Sequence, residues 1–312
     1  MDGKAGLHGL PIWETLSCLS DDRILSEAEQ KEIIELRQKK PDLLIRIARL
    51  LLSLSGSGYT YQKFASCPWE DIVDLIHDQA ARNRLLQQDD PKEQAVSAYL
   101  NREHNQLPCT LMTARKRVLE ARRLCKPEDP VLVLGDDDMV GVELAKAGFT
   151  DVTSVEIDDY ICQQLKERSK AEGLSLKVHR HDIRKPPLKE LIRPYHLIFL
   201  DPMYSLEGIE MFLRSALEFS GNRPGTYFFV SVHLQSLLRD GFSQLPQLIA
   251  SLGLSWGEVY KGFNAYPVPD RVGWWIAFFI RRFMKTQLMS SENFTLKFFL
   301  SDAMILKNEK SA

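Results

Sequence analysis

The sequence predicts an α/β fold, in which an open, doubly wound sheet carries helices on both faces and follows a smaller helical domain. Short apolar runs such as 130–134 have the composition of parallel strands that are buried on both faces. These runs alternate with stretches of helical character, which is the pattern of strand–helix–strand units. Several short helical stretches in the first third of the chain, among them 21–53, predict the helical domain.

The predicted strands begin at residue 130 and recur along the second half of the chain. They are 130–134, 152–157, 176–179, 196–200 and 226–232, with 257–260 and 272–280 as the last two. Helices predicted over 139–148 and from 159 to about 171 separate the first three strands. We therefore predict a Rossmann-like, methyltransferase-type doubly wound sheet.

Changes in this pattern place the domain boundaries. We predict a helical, winged-helix-like domain over 1–125 and a Rossmann-like domain over 126–285. Residues 286–312, whose composition is mixed, are predicted to form a C-terminal tail.

Composition restricts the class of protein. The chain has 312 residues, of which 44% are hydrophobic and 26% charged, so it can bury a core. A formal net charge of -2 provides no general attraction to nucleic acid or anionic lipid. The apolar run 272–280 is far shorter than the ~20 residues of a membrane helix. No secretory signal is evident, and five scattered cysteines without a CxxC pair indicate reduced thiols and no metal site. We expect a cytoplasmic protein.

Acidic residues follow the first four predicted strands, at the edge where doubly wound sheets bind ligands. They are Asp136, Asp137, Asp138, Glu156, Asp182 and Asp201. Glu156 lies 21 residues beyond Gly135, where an acidic side chain typically accepts hydrogen bonds from ribose hydroxyls. Gly135 allows a ligand to approach the backbone closely. Asp182 has the position that meets an adenine amino group in methyltransferase-like sheets. Each acidic residue can also be explained as a solvated loop residue or a helix cap.

The loop Gly135–Asp138 is the most informative segment. A dinucleotide site needs glycines here, so that backbone N–H groups and a helix N-terminus can hold the pyrophosphate. Three carboxylates would instead repel a pyrophosphate, would disfavour the carboxylate of ordinary S-adenosylmethionine, and would attract a cation. Capping of the next helix is the alternative explanation, but one Asp suffices for it. A polyamine, or a nucleoside with a cationic aminopropyl arm, fits this loop.

Further candidate residues lie after the fourth and fifth strands and near residue 265. The turn Asp201–Tyr204 has an acid-Pro-x-aromatic pattern that recurs in enzymes that transfer groups to nitrogen. Its carboxylate would accept a hydrogen bond from the amine, and the ring of Tyr204 would contact a cation or simply pack in a rigid turn. His233 is a candidate proton relay, although a buried structural role is equally open. Tyr266, in a predicted loop, is a candidate to line the acceptor pocket.

These motifs resemble those of the branched-chain polyamine synthases. The segment 132–138 resembles the family's signature, and 155–158, 181–186 and 199–202 follow in the family's order. The family transfers aminopropyl groups from decarboxylated S-adenosylmethionine to the secondary amine of spermidine and releases methylthioadenosine. The resemblance implies decarboxylated S-adenosylmethionine as a co-substrate, a polyamine acceptor and no bound cofactor. A homodimer is left open.

The resemblance also implies a role for each candidate residue. The residues implied in nucleoside binding are Gly135, Asp136, Glu156 and Asp182. Those implied in catalysis are Asp137, Asp138 and Asp201, with Asp137 as the favoured base. Those implied in acceptor binding are Asp137, Asp201, Tyr204, His233 and Tyr266.

Two other functions stay open at this point. An amino-group methyltransferase that uses ordinary S-adenosylmethionine fits the turn 201–204 but not the three consecutive aspartates. A nucleic-acid-binding regulator would use the N-terminal helices, with a basic stripe formed by 115–117 and 122–123. The near-zero net charge gives this second alternative little support.

Overall fold

The structure is a computed structural model that describes Gln106 and residues 108–203, 205–267 and 298–309. All of these belong to one of two compact units of the chain, which comprises Arg82–Pro267 and Phe298–Ala312. The helices predicted within 1–105, the strand predicted over 272–280 and Tyr204 lie outside the described residues. The division of the chain at 125 and 285 stays a prediction.

The described residues form a seven-stranded sheet in the order β3-β2-β1-β4-β5-β7-β6. The strands are β1 Val131–Leu134, β2 Val152–Glu156, β3 Leu176–Arg180, β4 Leu197–Leu200, β5 Tyr227–Val232, β6 Leu254–Pro267 and β7 Phe298–Asn308. The first five strands are parallel, whereas β7 runs antiparallel between β5 and β6. The strand order changes direction between β1 and β4, so the loops after these two strands flank the switch point. The predicted methyltransferase-type doubly wound sheet is confirmed.

Five α-helices lie in the described part of the chain. They are α1 Leu111–Leu124, α2 Val140–Lys146, α3 Asp159–Ala171, α4 Leu206–Phe219 and α5 Leu238–Ser251. Polar side chains cap three of them: Thr110 accepts a hydrogen bond from the first turn of α1, Asp158 from that of α3 and Ser205 from that of α4. Helices α2 and α3 occupy the stretches where the sequence predicts helices.

The core consists of apolar layers on the two faces of the sheet. Successive side chains of a strand point to opposite faces. Accordingly, Leu132 and Leu134 pack with residues of α4 and α5, whereas Val131 and Val133 pack with residues of α1 and α2. Burial on both faces explains why these strands appear in the sequence as continuous apolar runs.

The last two strands differ from the prediction. The sequence predicts a tail over 286–312, yet β7 pairs on both sides within the sheet. Buried polar residues interrupt the apolar pattern of β7, so its sequence does not indicate a buried strand. Asp302 accepts hydrogen bonds from the backbone N–H groups of Leu234 and Gly262, and Asn308 donates two to backbone carbonyls. Strand β6 is longer than the predicted 257–260 and includes the predicted loop that contains Tyr266.

Candidate active site

The acidic residues after β1, β2 and β4 gather at the carboxyl edge of the sheet. Gly135 follows β1 with a φ of +74°, in the left-handed region that favours glycine. Its N–H donates a 2.8 Å hydrogen bond to the carbonyl of Val155 in β2. The loop that begins at this turn carries Asp136, Asp137 and Asp138, and these three carboxylates have different environments.

Asp136 anchors the loop to the protein interior. Its side chain is fully buried and accepts a 2.5 Å hydrogen bond from Ser154 Oγ and a 3.1 Å bond from the Gly141 N–H. Burial raises the pKa of Asp136 to about 7, although both hydrogen bonds oppose this shift. The predicted contact of Asp136 with a nucleoside stays a prediction.

Glu156, the last residue of β2, joins the ends of β1 and β2. One carboxylate oxygen accepts a 2.8 Å hydrogen bond from the Asp136 N–H. The other accepts bonds of 2.8 Å and 2.9 Å from the N–H groups of Ile157 and Asp158, and one of 3.3 Å from Gln106 Nε2. Burial raises the pKa of Glu156, and the backbone hydrogen bonds oppose this shift. These donors hold the carboxylate rigidly beside the glycine turn.

Asp138 forms a buried ion pair. One oxygen accepts a 2.5 Å hydrogen bond from the Cys109 N–H, and the other lies 2.5 Å from Arg117 Nη1 on α1. Both side chains of the ion pair are 3% exposed, so water does not screen their attraction. Asp138 is therefore already neutralised by the protein.

Arg117, which was not among the predicted site residues, contacts several side chains of the site. Its Nη2 donates hydrogen bonds to Asp201 (2.8 Å), Ser231 Oγ (3.0 Å) and Tyr266 OH (3.1 Å), and its Nε donates one to Asn264 Oδ1 (3.0 Å). Burial lowers the pKa of this guanidinium, but the surrounding acidic groups outweigh that effect and raise the pKa well above its usual value. Arg117 is thus a fixed cation at the centre of the site.

Sequence reasoning placed Arg117 in a basic stripe and missed its role. Arg117 does not belong to an exposed stripe, because it is buried whereas the side chain of Arg115 is 67% exposed. A signal was present in the spacing. The buried residues Ala114, Arg117, Val118 and Ala121 lie at the i, i+3, i+4 and i+7 positions of one helix face. An arginine on an apolar helix face must find a buried partner.

Asp201 follows β4 and faces the same cation. Its Oδ2 accepts hydrogen bonds from Arg117 Nη2 and, at 2.7 Å, from the hydroxyl of Tyr266. Burial and the charge of Asp138 raise the pKa of Asp201 to about 7, whereas Arg117 lowers it. Tyr266 lies on β6 and is 2% exposed. The structure thus brings Tyr266 into the site through its contact with Asp201.

Asp137 is the carboxylate of the loop that no described residue binds. It is half-buried and makes no hydrogen bond or ion pair with any other residue that the structure describes. Burial raises its pKa well above the usual range, and the negative charges of Asp138, Glu156 and Asp201 add to this effect. Arg117 opposes the shift. A carboxylate with this environment is suited to accept a proton or a hydrogen bond from a cationic ligand.

Two of the other predicted residues lie in contrasting environments, and the third, Tyr204, is outside the described residues. Both carboxylate oxygens of Asp182 accept 2.8 Å hydrogen bonds from Arg184, and this pairing lowers the pKa of Asp182 to about 2. His233, directly after β5, is fully buried.

In the described ranges, no cluster of three or more His, Cys, Asp or Glu side chains could hold a metal ion. None of the described helices has the length and hydropathy to cross a membrane.

The strand order, the glycine turn after β1 and the acidic residue that ends β2 define a Rossmann-like, methyltransferase-type protein. The chain belongs to the branched-chain polyamine synthase family, because the family described as branched-chain polyamine synthase A C-terminal domain matches residues 100–301.

Two relatives are similar to parts of this chain. The N(4)-bis(aminopropyl)spermidine synthase of Thermus thermophilus is 31% identical over 138 residues, which are 44% of this chain and 40% of that protein. An uncharacterized protein of Methanocaldococcus jannaschii is 26% identical over 213 residues, 68% of this chain and 49% of that protein. The chain therefore spans about half of these relatives or less.

One solved structure shows the same fold. The crystal structure of the branched-chain polyamine synthase from Thermus thermophilus, in complex with N4-aminopropylspermidine and 5'-methylthioadenosine, matches with a TM-score of 0.55. The two chains are 22% identical, and the match covers 75% of this chain and 65% of the other.

Proposed function

We propose that this protein transfers aminopropyl groups from decarboxylated S-adenosylmethionine to an amine of a polyamine and releases methylthioadenosine. Spermidine is the proposed acceptor, and an N(4)-aminopropylated branched polyamine is the proposed product. The family assignment supports this reaction, as does the name of the relative from Thermus thermophilus. The observation that carries the proposal concerns the carboxylate of Asp137. It makes no hydrogen bond or ion pair with a described residue, and the charges of Asp138 and Asp201 help to raise its pKa.

The charge of the site supports a cationic ligand. The carboxylates of Asp137, Asp138, Glu156 and Asp201 interact electrostatically, and one buried guanidinium opposes them. Ionising a buried carboxylate costs free energy, and the ammonium groups of a polyamine would offset that cost. Decarboxylated S-adenosylmethionine carries positive charge and no carboxylate, so this site would not repel it as it would repel ordinary S-adenosylmethionine.

The proposed chemistry is a direct displacement. The sulfonium leaves as a neutral thioether and needs no acid. An aliphatic amine, by contrast, is protonated at pH 7 and has no free lone pair. We infer that Asp137 accepts this proton, that the lone pair forms the new C–N bond, and that the C–S bond breaks with its electrons remaining on sulfur. Asp201 holds a neighbouring ammonium group in place, and Asp138, paired with Arg117, fixes the loop that carries Asp137, so that the attacking nitrogen stays aligned with the carbon.

The nucleoside is proposed to bind beside the glycine turn. Gly135 would allow the backbone to approach the ligand, Glu156 would accept hydrogen bonds from the ribose hydroxyls, and Asp182 would meet the adenine amino group. The rigid hydrogen bonding of Glu156 supports this role, because a carboxylate held by backbone donors needs no reorganisation when the nucleoside binds. Tyr204 and His233 remain proposed members of the acceptor site.

Purified protein incubated with decarboxylated S-adenosylmethionine and spermidine tests the proposal. We expect methylthioadenosine and a product heavier by one or two aminopropyl groups. A parallel incubation with ordinary S-adenosylmethionine separates the alternative. Release of S-adenosylhomocysteine with a methylated amine, and no aminopropyl product, would replace the proposal with an amino-group methyltransferase.

A further inference from the structure

Arg117 is a buried cation that contacts two carboxylates of the candidate active site. Its Nη1 lies 2.5 Å from Asp138, and its Nη2 lies 2.8 Å from Asp201. We propose that Arg117 is a positioning residue: it holds and neutralises Asp138 and Asp201, and so leaves Asp137 as the carboxylate that takes the proton from the acceptor amine. This inference rests on the proposed aminopropyl transfer and identifies a residue that directs its proton transfer.

The contacts of Arg117 explain why an arginine suits this position. Besides the two carboxylates, its guanidinium donates to the side chains of Asn264, Ser231 and Tyr266. These partners belong to β5 and β6, and the carboxylates belong to the loops after β1 and β4. A planar guanidinium directs its N–H groups to such partners at the same time. A lysine ammonium is a single point charge and cannot bridge both carboxylates with this geometry.

The electrostatic consequence is a division of roles among the carboxylates. Arg117 forms ion pairs with Asp138 and Asp201 but none with Asp137. Asp138, Glu156 and Asp201 favour protonation of Asp137, and Arg117 opposes it. Removal of the guanidinium would leave Asp138 and Asp201 uncompensated and would strengthen proton binding throughout the cluster. Asp137 would then keep its proton to a higher pH, and the form that can accept a proton from the amine would be populated only at that higher pH.

Steady-state kinetics of Arg117→Lys test this role, with Arg115→Gln as the matched control on the exposed face of the same helix. Initial rates with decarboxylated S-adenosylmethionine and spermidine are measured against pH, and urea unfolding determines the folded fraction of each variant. We expect kcat of Arg117→Lys to fall about 10- to 100-fold, as misplacement of a reacting group does. The KM for decarboxylated S-adenosylmethionine should stay unchanged, and the acidic limb of the kcat profile should move to higher pH. Arg115→Gln should match the unmodified protein.

A second variant keeps the inference testable if Arg117→Lys does not fold. Tyr266→Phe removes a hydroxyl that donates to Asp201 and accepts from Arg117, while the charge of the site is unchanged. We expect it to fold and to lower kcat with the same direction of pH shift.

Separate outcomes distinguish this inference from the proposed function. A folded Arg117→Lys with kcat within twofold of the unmodified protein and the same pH profile would overturn the inference alone. If Arg117→Lys does not fold, a Tyr266→Phe variant with unaltered kcat and pH profile would overturn it. Absence of aminopropyl transfer by the unmodified protein would overturn both.

Discussion

Asp201, which follows β4, lies 2.8 Å from the guanidinium of Arg117 on α1, 84 residues earlier in the chain. This contact connects the first described helix to the switch point of the sheet. Because the same guanidinium also binds Asp138, one buried cation holds the acidic groups that follow β1 and β4. Asp137, which precedes Asp138 in the loop, makes no such ion pair and stays available to a ligand.

Replacement of Asp137 by Asn should slow transfer strongly without destabilising the protein. We expect kcat to fall by about 10²- to 10⁴-fold, the usual contribution of a general base. The free energy of unfolding should not fall, because the side chain has no hydrogen bond to any described residue and its raised pKa means that its ionisation in the folded state costs free energy. Turnover and urea unfolding of the same preparation provide both quantities. A kcat within tenfold of the unmodified value would contradict the role of Asp137 as base.

The stability of the ligand-free protein should fall as the pH rises from about 4 to about 7. Asp136 and Asp201 have a pKa of about 7 in the folded protein, whereas an unfolded Asp has a pKa of about 3.9. The folded state therefore binds more protons than the unfolded state in this range. The stability that these protons contribute is fully present below the unfolded pKa and is lost as the pH rises through the folded pKa. Urea unfolding at intervals of pH measures the slope.

Two variants identify the source of this pH dependence. Asp136→Asn should flatten the slope between pH 5 and 7. Asp182→Asn should leave that slope unchanged, because both its folded pKa of about 2 and its unfolded pKa lie below this range. Equal slopes in Asp136→Asn and the unmodified protein would show that this carboxyl group is ionised in the folded state at pH 5.

Binding of spermidine at pH 7 should release protons from the protein. A polyammonium ligand stabilises the ionised forms of Asp137 and Asp201, whose pKa values are raised in the free protein. Calorimetric titrations in phosphate and in Tris, which differ in ionisation enthalpy, measure this release. The Asp201→Asn variant should release fewer protons. Identical binding enthalpies in the two buffers would exclude net proton exchange.

Replacement of Gly141 by Ala should destabilise the anchor of the acidic loop. A Cβ atom at this position would lie 2.2 Å from Ser154 Oγ and 2.6 Å from Asp136 Oδ2. We expect a loss of about 1–3 kcal/mol in the free energy of unfolding, as for other overpacked sites. Urea unfolding measures this loss.

The double variant Gly141→Ala/Ser154→Ala provides the control. Because it removes the nearest clashing atom, it should be less destabilised than the sum of the two single variants. Additivity within ~0.5 kcal/mol would mean that the clash is relieved elsewhere.

The sequence by itself determined the parallel half of the sheet and the chemical character of its edge. Strands that are buried on both faces must be apolar at every position, so 131–134 and its neighbours are visible as short hydrophobic runs. The carboxyl ends of parallel strands meet at one edge, so acidic residues after β1, β2 and β4 had to lie near one another. These local patterns predicted Gly135, Asp137 and Glu156 as candidate site residues.

Only the tertiary structure decided which carboxylates the protein itself neutralises. Arg117 meets Asp138, Asp201 and Tyr266 across 21, 84 and 149 residues of sequence, and no local pattern specifies such contacts. Strand β7 was not predicted for a similar reason. Asp302 can be buried in the sheet only because backbone N–H groups of distant residues donate hydrogen bonds to it. Burial and hydrogen-bond partners determine whether a carboxylate is a structural anchor or a base, and both depend on the folded chain.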